Sequence, residues 1–341
     1  LRQQADRHAA GAAAVNRVLV TVGDPNGIGP ELAVKAAAAL DGDPGLAPVV
    51  VADPYLVHGW AGEQGLRVRE VDGPVEPTPG VLDVLAVAAL APAEWRPGQV
   101  SAAAGAATVA YLRAAVAAVG AGLGSAIVGC PHSETAVNSA GIRFDGYPGL
   151  LAELAGVPRD RVFLLLVGGG LRVVHATLHE SLPAALRRLT PELITAAGQA
   201  TAEFLRSRGL GEPRLGVCGI NPHAGEQGLF GDEDERITRP AVTALRAAGV
   251  DAHGPLGADL LFAPENRDSY HAHLAMYHDQ GHIPVKLLAG RSASAVSVGA
   301  GLAFSSVGHG AAFDIAGQGR ADPGALLGAI RLVGAPARVV L

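Results

Sequence analysis

Short apolar runs ending in polar, glycine-marked turns alternate along this chain with alanine- and leucine-rich stretches of helical length. Residues 18–22, 49–52, 125–130, 163–167, 171–174, 214–220 and 274–277 are short, mainly apolar stretches that read as strands, most of them covered on both faces. Residues 101–120 hold no proline and predict one long helix; shorter helices are expected at 32–40 and from Leu182. The glycines at 168–170 sit between two runs and predict a tight strand-to-strand turn, not a phosphate loop. Strands and helices in alternation define an α/β protein. The chain has 341 residues, enough for one large or two ordinary domains, and no repeat or low-complexity linker divides it. Domains interleaved across one chain are therefore expected.

Composition excludes more than it assigns. With 49% hydrophobic, 17% charged and 4% aromatic residues the chain is expected to be a soluble protein with a sizeable core. A formal charge of −6 gives no clustered basic face for nucleic acid. No apolar run approaches the roughly 18 to 20 residues of a membrane span, so no membrane partner is expected. Residues 1–16 scatter Arg2, Asp6 and Arg7 among alanines and read as a frayed tail, not a secretory signal. Two cysteines, Cys130 and Cys218, cannot build a disulfide framework, and a reducing cytoplasm is the simplest home. Each follows a β-branched run and reads as a small buried residue.

The chemistry gathers where runs end. Past 274–277 come His278, Asp279, Gln280, Gly281, His282 and Lys286. Two readings stand for this stretch. In one, His278 is a metal ligand and Lys286 meets a substrate anion or a proton; in the other, a polar loop uses its histidines to satisfy backbone groups. His132 and Ser133 close the run 125–130 and suit substrate contact, although Ser133 equally suits capping of the next helix. His179 and His223 stand past two further runs. Three imidazoles delivered the same way favour a catalytic zinc, cobalt, nickel or manganese ion that polarises an oxygen. Acidic residues 232–235 lack ligand spacing and read as a solvated helix start. Residues 23–31 turn a strand into a helix with free amides, and residues 305–323 form a glycine-punctuated loop before a final helix, where backbone can approach a flat ligand.

Two of these stretches resemble a known superfamily. Residues 23–31, GDPNGIGPE, look like the turn near the start of isopropylmalate and isocitrate dehydrogenases, and residues 309–319 with Asp322 and Pro323 resemble their adenosine-binding loop. Within it, residues 221–226, NPHAGE, and 276–281, MYHDQG, are similar to signatures of the 4-hydroxythreonine-4-phosphate dehydrogenase family. The resemblance spans residues 17–335 and implies a two-domain α/β/α sandwich. Residues 17–125 with 292–341 would hold the cofactor, and 126–291 the metal, substrate and dimer contacts. It implies NAD or NADP on Gly308, His309, Gly310, Asp314 and Asp322, and a divalent ion, magnesium now included, on His179, His223 and His278. It also implies a homodimer in which the partner subunit supplies one of those histidines. Asp279 and Lys286 become the proton-transfer groups; His132, Ser133, Lys286 and Arg291 become substrate contacts. His175 matches no ligand position and is expected to be structural.

The departures from that family select a branch. Its pyridoxine-pathway members read a substrate phosphate partly through an Asn and an Arg, and the aligned positions here are Ala295 and Phe304. Loss of a guanidinium fork disfavours a phosphate, and Phe304 in its place suits a flat apolar ring. Residues 130–132, 134–136, 146–148, 177–181, 281–284, 286–289 and 305–310 look like the branch that oxidises the cis-dihydrodiol of terephthalate with loss of CO₂. The alternatives are a phosphorylated hydroxy-acid dehydrogenase of vitamin B6 or threonate metabolism and, from another class, a silent metal-binding protein or a metal-dependent hydrolase.

Overall fold

β-branched runs pair through the middle of the molecule into one sheet. The computed structural model describes residues 15–290 and 293–334, so most of the tail expected over 1–16, and Arg291, lie outside the described residues. Its strands are β1 (Asn16–Thr21), β2 (Leu46–Ala52), β3 (Arg67–Val71), β4 (Val81–Ala86), β5 (Ala126–Gly129) and β6 (Phe163–Gly168). β7 (Leu171–His175), β8 (Arg214–Cys218), β9 (Asp251–Leu256), β10 (Ala272–Ala275), β11 (Ser294–Val298) and β12 (Ala303–Val307) complete it. The order across the sheet is β3-β4-β2-β1-β5-β12-β11-β6-β7-β10-β8-β9. Pairing is parallel from β3 to β12 and from β7 to β9, and antiparallel along β12-β11-β6-β7. The two parallel halves therefore run in opposite directions and meet at the centre.

Helices cover the sheet: α1 (Gly29–Ala39), α2 (Tyr55–Glu63), α3 (Ala102–Gly120), α4 (Glu134–Ser139), α5 (Tyr147–Ala155) and α6 (Leu182–Arg188). They are followed by α7 (Pro191–Ser207), α8 (Arg239–Ala247), α9 (Ala258–Phe262), α10 (His278–Ala289) and α11 (Gly324–Gly334). This is the mixed α/β sandwich that the alternation predicts. One large core draws on residues between 18 and 162 and again between 300 and 333; a second draws mostly on residues between 163 and 298. The chain thus leaves the first core after Val162 and returns to it at Ala300, and both cysteines are buried and unbonded.

Several expectations need correction. α3 is long and apolar enough to cross a membrane, but half of it is buried against β1, β2, β5 and α4, which makes it a core helix. The hydrophobic run lengths hid this because small alanines carry its apolarity. Residues 278–289 form a helix, not a polar loop, with Pro284 inside it. Ser305 and Ser306 belong to β12 and not to the loop that follows. The acidic stretch is not uniformly solvated: Asp234 is fully buried and accepts hydrogen bonds from Ile220 N at 2.8 Å, Asn221 N at 2.9 Å and Thr238 Oγ1 at 2.7 Å.

Candidate active site

A cleft of about 440 Å³ crosses the face of the central strands, over Leu164 and Leu166 of β6, Ala295 of β11 and Ser306 of β12. Its rim is built from residues on either side. His132 and Tyr147 come from beyond β5, His179 from beyond β7, His282 and Lys286 from α10, and Gly308, His309 and Gly310 from beyond β12. The polar clusters do sit past strand ends, and the reversal of direction at β11 lets the site span the sheet, because the strands carrying His132 and His179 point opposite ways.

α10 can lie against β7 because position 281 is glycine. A Cβ there would collide with His175 Nε2 and stand 2.7 Å from Val173 Cγ1. Gln280 fixes the start of the helix: its Oε1 accepts from Met276 N at 2.7 Å and its Nε2 donates to Gly219 O at 2.8 Å. This clamp joins the ends of β10 and β8 and sets His278 at the first helical position. His278 Nδ1 meets Asp279 Oδ1 at 2.7 Å, and His179 Nδ1 meets Asp145 O at 3.1 Å. Both oxygens accept, so the neutral form of each ring carries its proton on Nδ1 and leaves Nε2 bare, the state a metal ligand needs. The two ring centroids are 5.6 Å apart.

His223 does not join them. It sits on the turn Pro222–Gly228, its Nδ1 3.3 Å from Glu226 Oε2 and its ring against Phe230. Among the described residues no three His, Cys, Asp or Glu side chains converge as a metal set, so one chain brings together two of the three expected ligands. The residues present nonetheless fit half of such a centre, since each of the two imidazoles has its second nitrogen already held. Asp279, expected as a proton-transfer group, is engaged by His278 as an orienting carboxylate.

His132 is sealed in an aromatic corner, with ring centroids 4.9 Å from Phe144 and 4.5 Å from Tyr147. Burial pushes its pKa down to about 4, and its buried Nε2 has no hydrogen-bond partner among the described residues. It is a neutral group left free for a ligand. Ser133 Oγ accepts from Ala136 N at 3.1 Å, so the capping reading describes it. Phe304 was expected to touch substrate and does not reach the cleft. It is fully buried, its ring 4.7 Å from Tyr147, and a Cβ at Gly129 would stand 3.2 Å from it. Phe304 and Ser306, two apart on β12, share one face of the sheet; Tyr147 covers Phe304, and only Ser306 of the two lines the cleft.

The cofactor residues split. Gly308 packs so close to α10 that a Cβ would lie 3.0 Å from Lys286 Nζ. The following loop is clipped to the early turn by Ile28 N on Ala311 O at 3.0 Å and Ala321 N on Glu31 Oε1 at 2.7 Å. Beside it opens a second cavity of about 550 Å³ with Tyr55, Trp60, Trp95 and Gly317 in its walls, flat surfaces suited to a planar base. Asp314 is exposed on the loop, while Asp322 Oδ1 accepts from Gly324 N at 2.9 Å at the head of α11.

Two residues that were assigned no role at the site stand beside it. His282 stacks on His278 with centroids 3.7 Å apart, and His175 Nε2 lies 3.0 Å from His282 Nδ1. The four-residue spacing of His278 and His282 would have shown the first contact had the helix been recognised, but Gly281 and Pro284 argued against one. Nothing in the sequence pairs His175 with His282.

Kinship gives this fold and cleft their class: the chain is a dehydrogenase, an oxidoreductase. More narrowly, it belongs to the family whose model is described as pyridoxal phosphate biosynthetic protein PdxA and matches residues 45–333. The 1,2-dihydroxy-3,5-cyclohexadiene-1,4-dicarboxylate dehydrogenase of a Comamonas species is 46% identical over 321 residues, 94% of this chain and 97% of that one. The crystal structure of a terephthalate 1,2-cis-dihydrodiol dehydrogenase from Burkholderia xenovorans LB400 is similar with a TM-score of 0.73 at 49% identity, covering 94% of this chain and 98% of that one. A 4-hydroxythreonine-4-phosphate dehydrogenase from Klebsiella pneumoniae is similar with a TM-score of 0.84 at 36% identity, covering 96% and 99%.

Proposed function

We propose that this dehydrogenase oxidises and decarboxylates a carboxylated cis-dihydrodiol of a cyclohexadiene, using NAD or NADP and a divalent ion. The observation that carries the reading is the lining of the cleft. Leu164, Leu166, Tyr147, Ala295 and Val307 make apolar walls, and Lys286 is the one Lys or Arg side chain among its described lining residues. A single ammonium with flat apolar walls suits a ring bearing a carboxylate better than a phosphate dianion, which an arginine fork would hold. Relatives at 46% and 49% identity named for dihydrodiols support the same choice.

His179 and His278 would hold the cation, and His223 of the partner subunit would complete the set. Exposed apolar side chains support a dimer: Leu287 is 80% and Ile283 55% exposed on α10, and Leu229 is 72% exposed beside His223. When bound, a zinc, cobalt, nickel, manganese or magnesium ion would polarise the substrate oxygens and the nicotinamide would accept hydride. Lys286 holds the carboxylate. His132, a neutral imidazole in the cleft wall, would meet a substrate oxygen. Hydride leaves the carbinol carbon while its hydroxyl proton goes to base, which yields a ketone beside the carboxylate-bearing carbon. CO₂ then departs, its bonding electrons move toward the ketone oxygen, and proton transfer leaves an aromatic ring.

The test is NAD(P)H formation by metal-reconstituted protein, with the cis-dihydrodiol of terephthalate and 4-phospho-hydroxythreonine in parallel. Turnover of the diol with release of CO₂ is expected; turnover of the phosphate alone would overturn the reading. One observation favours that second reading: an opening of about 430 Å³ on the far side of His179 is lined by Arg143, Arg159 and Arg188. All three arginines are paired with carboxylates, of Asp145, Glu153 and Glu180, which leaves them poorly placed for phosphate.

A further inference from the structure

The imidazoles His175, His282, His278 and His179 stand in a row beside the cleft, and the hydrogen bonds along it determine which nitrogen of each is protonated. His175 Nδ1 lies 3.2 Å from Leu164 O and its Nε2 3.0 Å from His282 Nδ1. A carbonyl only accepts, so the proton of His175 is on Nδ1. The ring is almost wholly buried, and no carboxylate contacts it among the described residues. His282 Nδ1 also faces His278 O at 3.3 Å, a second group that only accepts, so His282 Nδ1 is the donor between the two rings and His175 Nε2 is bare. With its proton there, His282 keeps a bare Nε2. That nitrogen has no partner among the described residues, and the ring lines the cleft beside Lys286. Parallel stacking on His278, at 11° between planes, holds the ring in place.

We propose that His282 is a substrate-recognising residue whose Nε2 accepts a hydrogen bond from a substrate hydroxyl, and that His175 is the positioning residue that keeps this nitrogen bare. The inference rests on the dehydrogenase reading of the cleft and deepens it. His282 and Lys286 are four residues apart on α10, so their side chains emerge about 5 to 6 Å apart on one helix face. The ligand that satisfies both carries an anionic group and, about one helical turn away, a hydroxyl other than the one being oxidised. A vicinal diol acid supplies both; a monohydroxy acid leaves the acceptor unpaired.

Nitrogen-15 long-range correlation spectra of the metal-free full-length protein test the tautomer without recourse to activity. Protonated Nδ1 and bare Nε2 at His282 are expected, with protonated Nε2 gaining population in His175→Leu; protonated Nε2 in the wild type would overturn the assignment. Kinetics test the recognition. His282→Leu is expected to lower kcat/KM for the diol roughly 10- to 100-fold, mainly through KM, because a substrate hydroxyl is left unpaired in the cleft. NAD⁺ affinity should be unchanged, and His282→Gln, which retains an acceptor, should recover most of the loss. Wild-type kinetics in His282→Leu would refute the recognition role. A wild-type enzyme inactive on every diol, yet with the expected tautomer, would defeat the substrate reading and leave the assignment supported, so the two failures are distinguishable.

Discussion

The turn that carries His223 is held against its own conformational preference, and Asp234 is what holds it. From His223 to Gln227 φ lies between 43° and 82°, and only Gly225 of the five is a glycine. At roughly 1 kcal/mol for each of the others, the left-handed run costs about 4 kcal/mol. The fully buried Asp234 offsets this with hydrogen bonds from Ile220 N, Asn221 N and Thr238 Oγ1. Charged hydrogen bonds contribute about 1.5 to 3 kcal/mol each, so the two from Ile220 N and Asn221 N, which anchor the chain as it enters the turn, are of the size required. Asp234→Asn preserves volume but sets an NH₂ group where an oxygen now accepts, leaving at least one backbone N–H unpaired. We expect a loss of about 2 to 4 kcal/mol, or a fall in Tm of roughly 3 to 6 °C by differential scanning calorimetry. Divalent-ion affinity by titration calorimetry should fall roughly 10-fold or more as His223 loses its position. A variant with wild-type Tm and wild-type ion affinity would refute the argument, because it would mean that the left-handed turn holds itself.

Three further outcomes are expected. Asp24 is buried with Oδ2 unpartnered, and burial raises its pKa from 3.8 to about 6. Its folded pKa exceeds the unfolded one, so the associated stability is complete below about pH 4 and is lost as pH rises through 6; Asp24→Asn should flatten the Tm–pH curve over that interval. Gly281→Ala places a methyl group against His175 and Val173, and overpacking of about 1 to 3 kcal/mol should outweigh a gain of about 1 kcal/mol in helix propensity, which a chemical-denaturation curve would show. Lys286→Met should lower kcat/KM for a carboxylated substrate roughly 100-fold by steady-state kinetics, while an unaltered KM would show that the ammonium does not hold the carboxylate.

The legible part of the fold was the part with period and length. Continuous runs located β1, β2, β5, β6, β7, β8 and β10, and helical composition located α3 almost to the residue, with Ser101 capping it through Ala104 N. β3, with Arg67, Arg69 and Glu70 in five residues, is an edge strand and carries no hydrophobic run to find. β11 is built from small residues, and its antiparallel insertion between β12 and β6 depends on partners distant in sequence. Of the site, the types were legible and the contacts were not. His179 and His278 come together, while Phe304 is kept from the cleft by the ring of Tyr147, a residue far off in sequence that no local pattern pairs with it. His175 was expected to be structural, and nothing local shows that its partner is His282.

The seating of β12 has a consequence for the order in which the molecule can be assembled. β5 ends at Gly129, and the strand that covers its open side arrives with Ser306. At about 5 to 20 residues per second on a ribosome, the edge of β5 stays bare for roughly 10 to 35 seconds. During that interval the second core, complete in residues between 163 and 298 except for Leu332, can fold as a unit. The first core cannot close until the last strand and helix emerge. The nascent chain thus spends that time with an uncovered apolar strand, and slow synthesis or early termination in this region should favour aggregation over half-built enzyme.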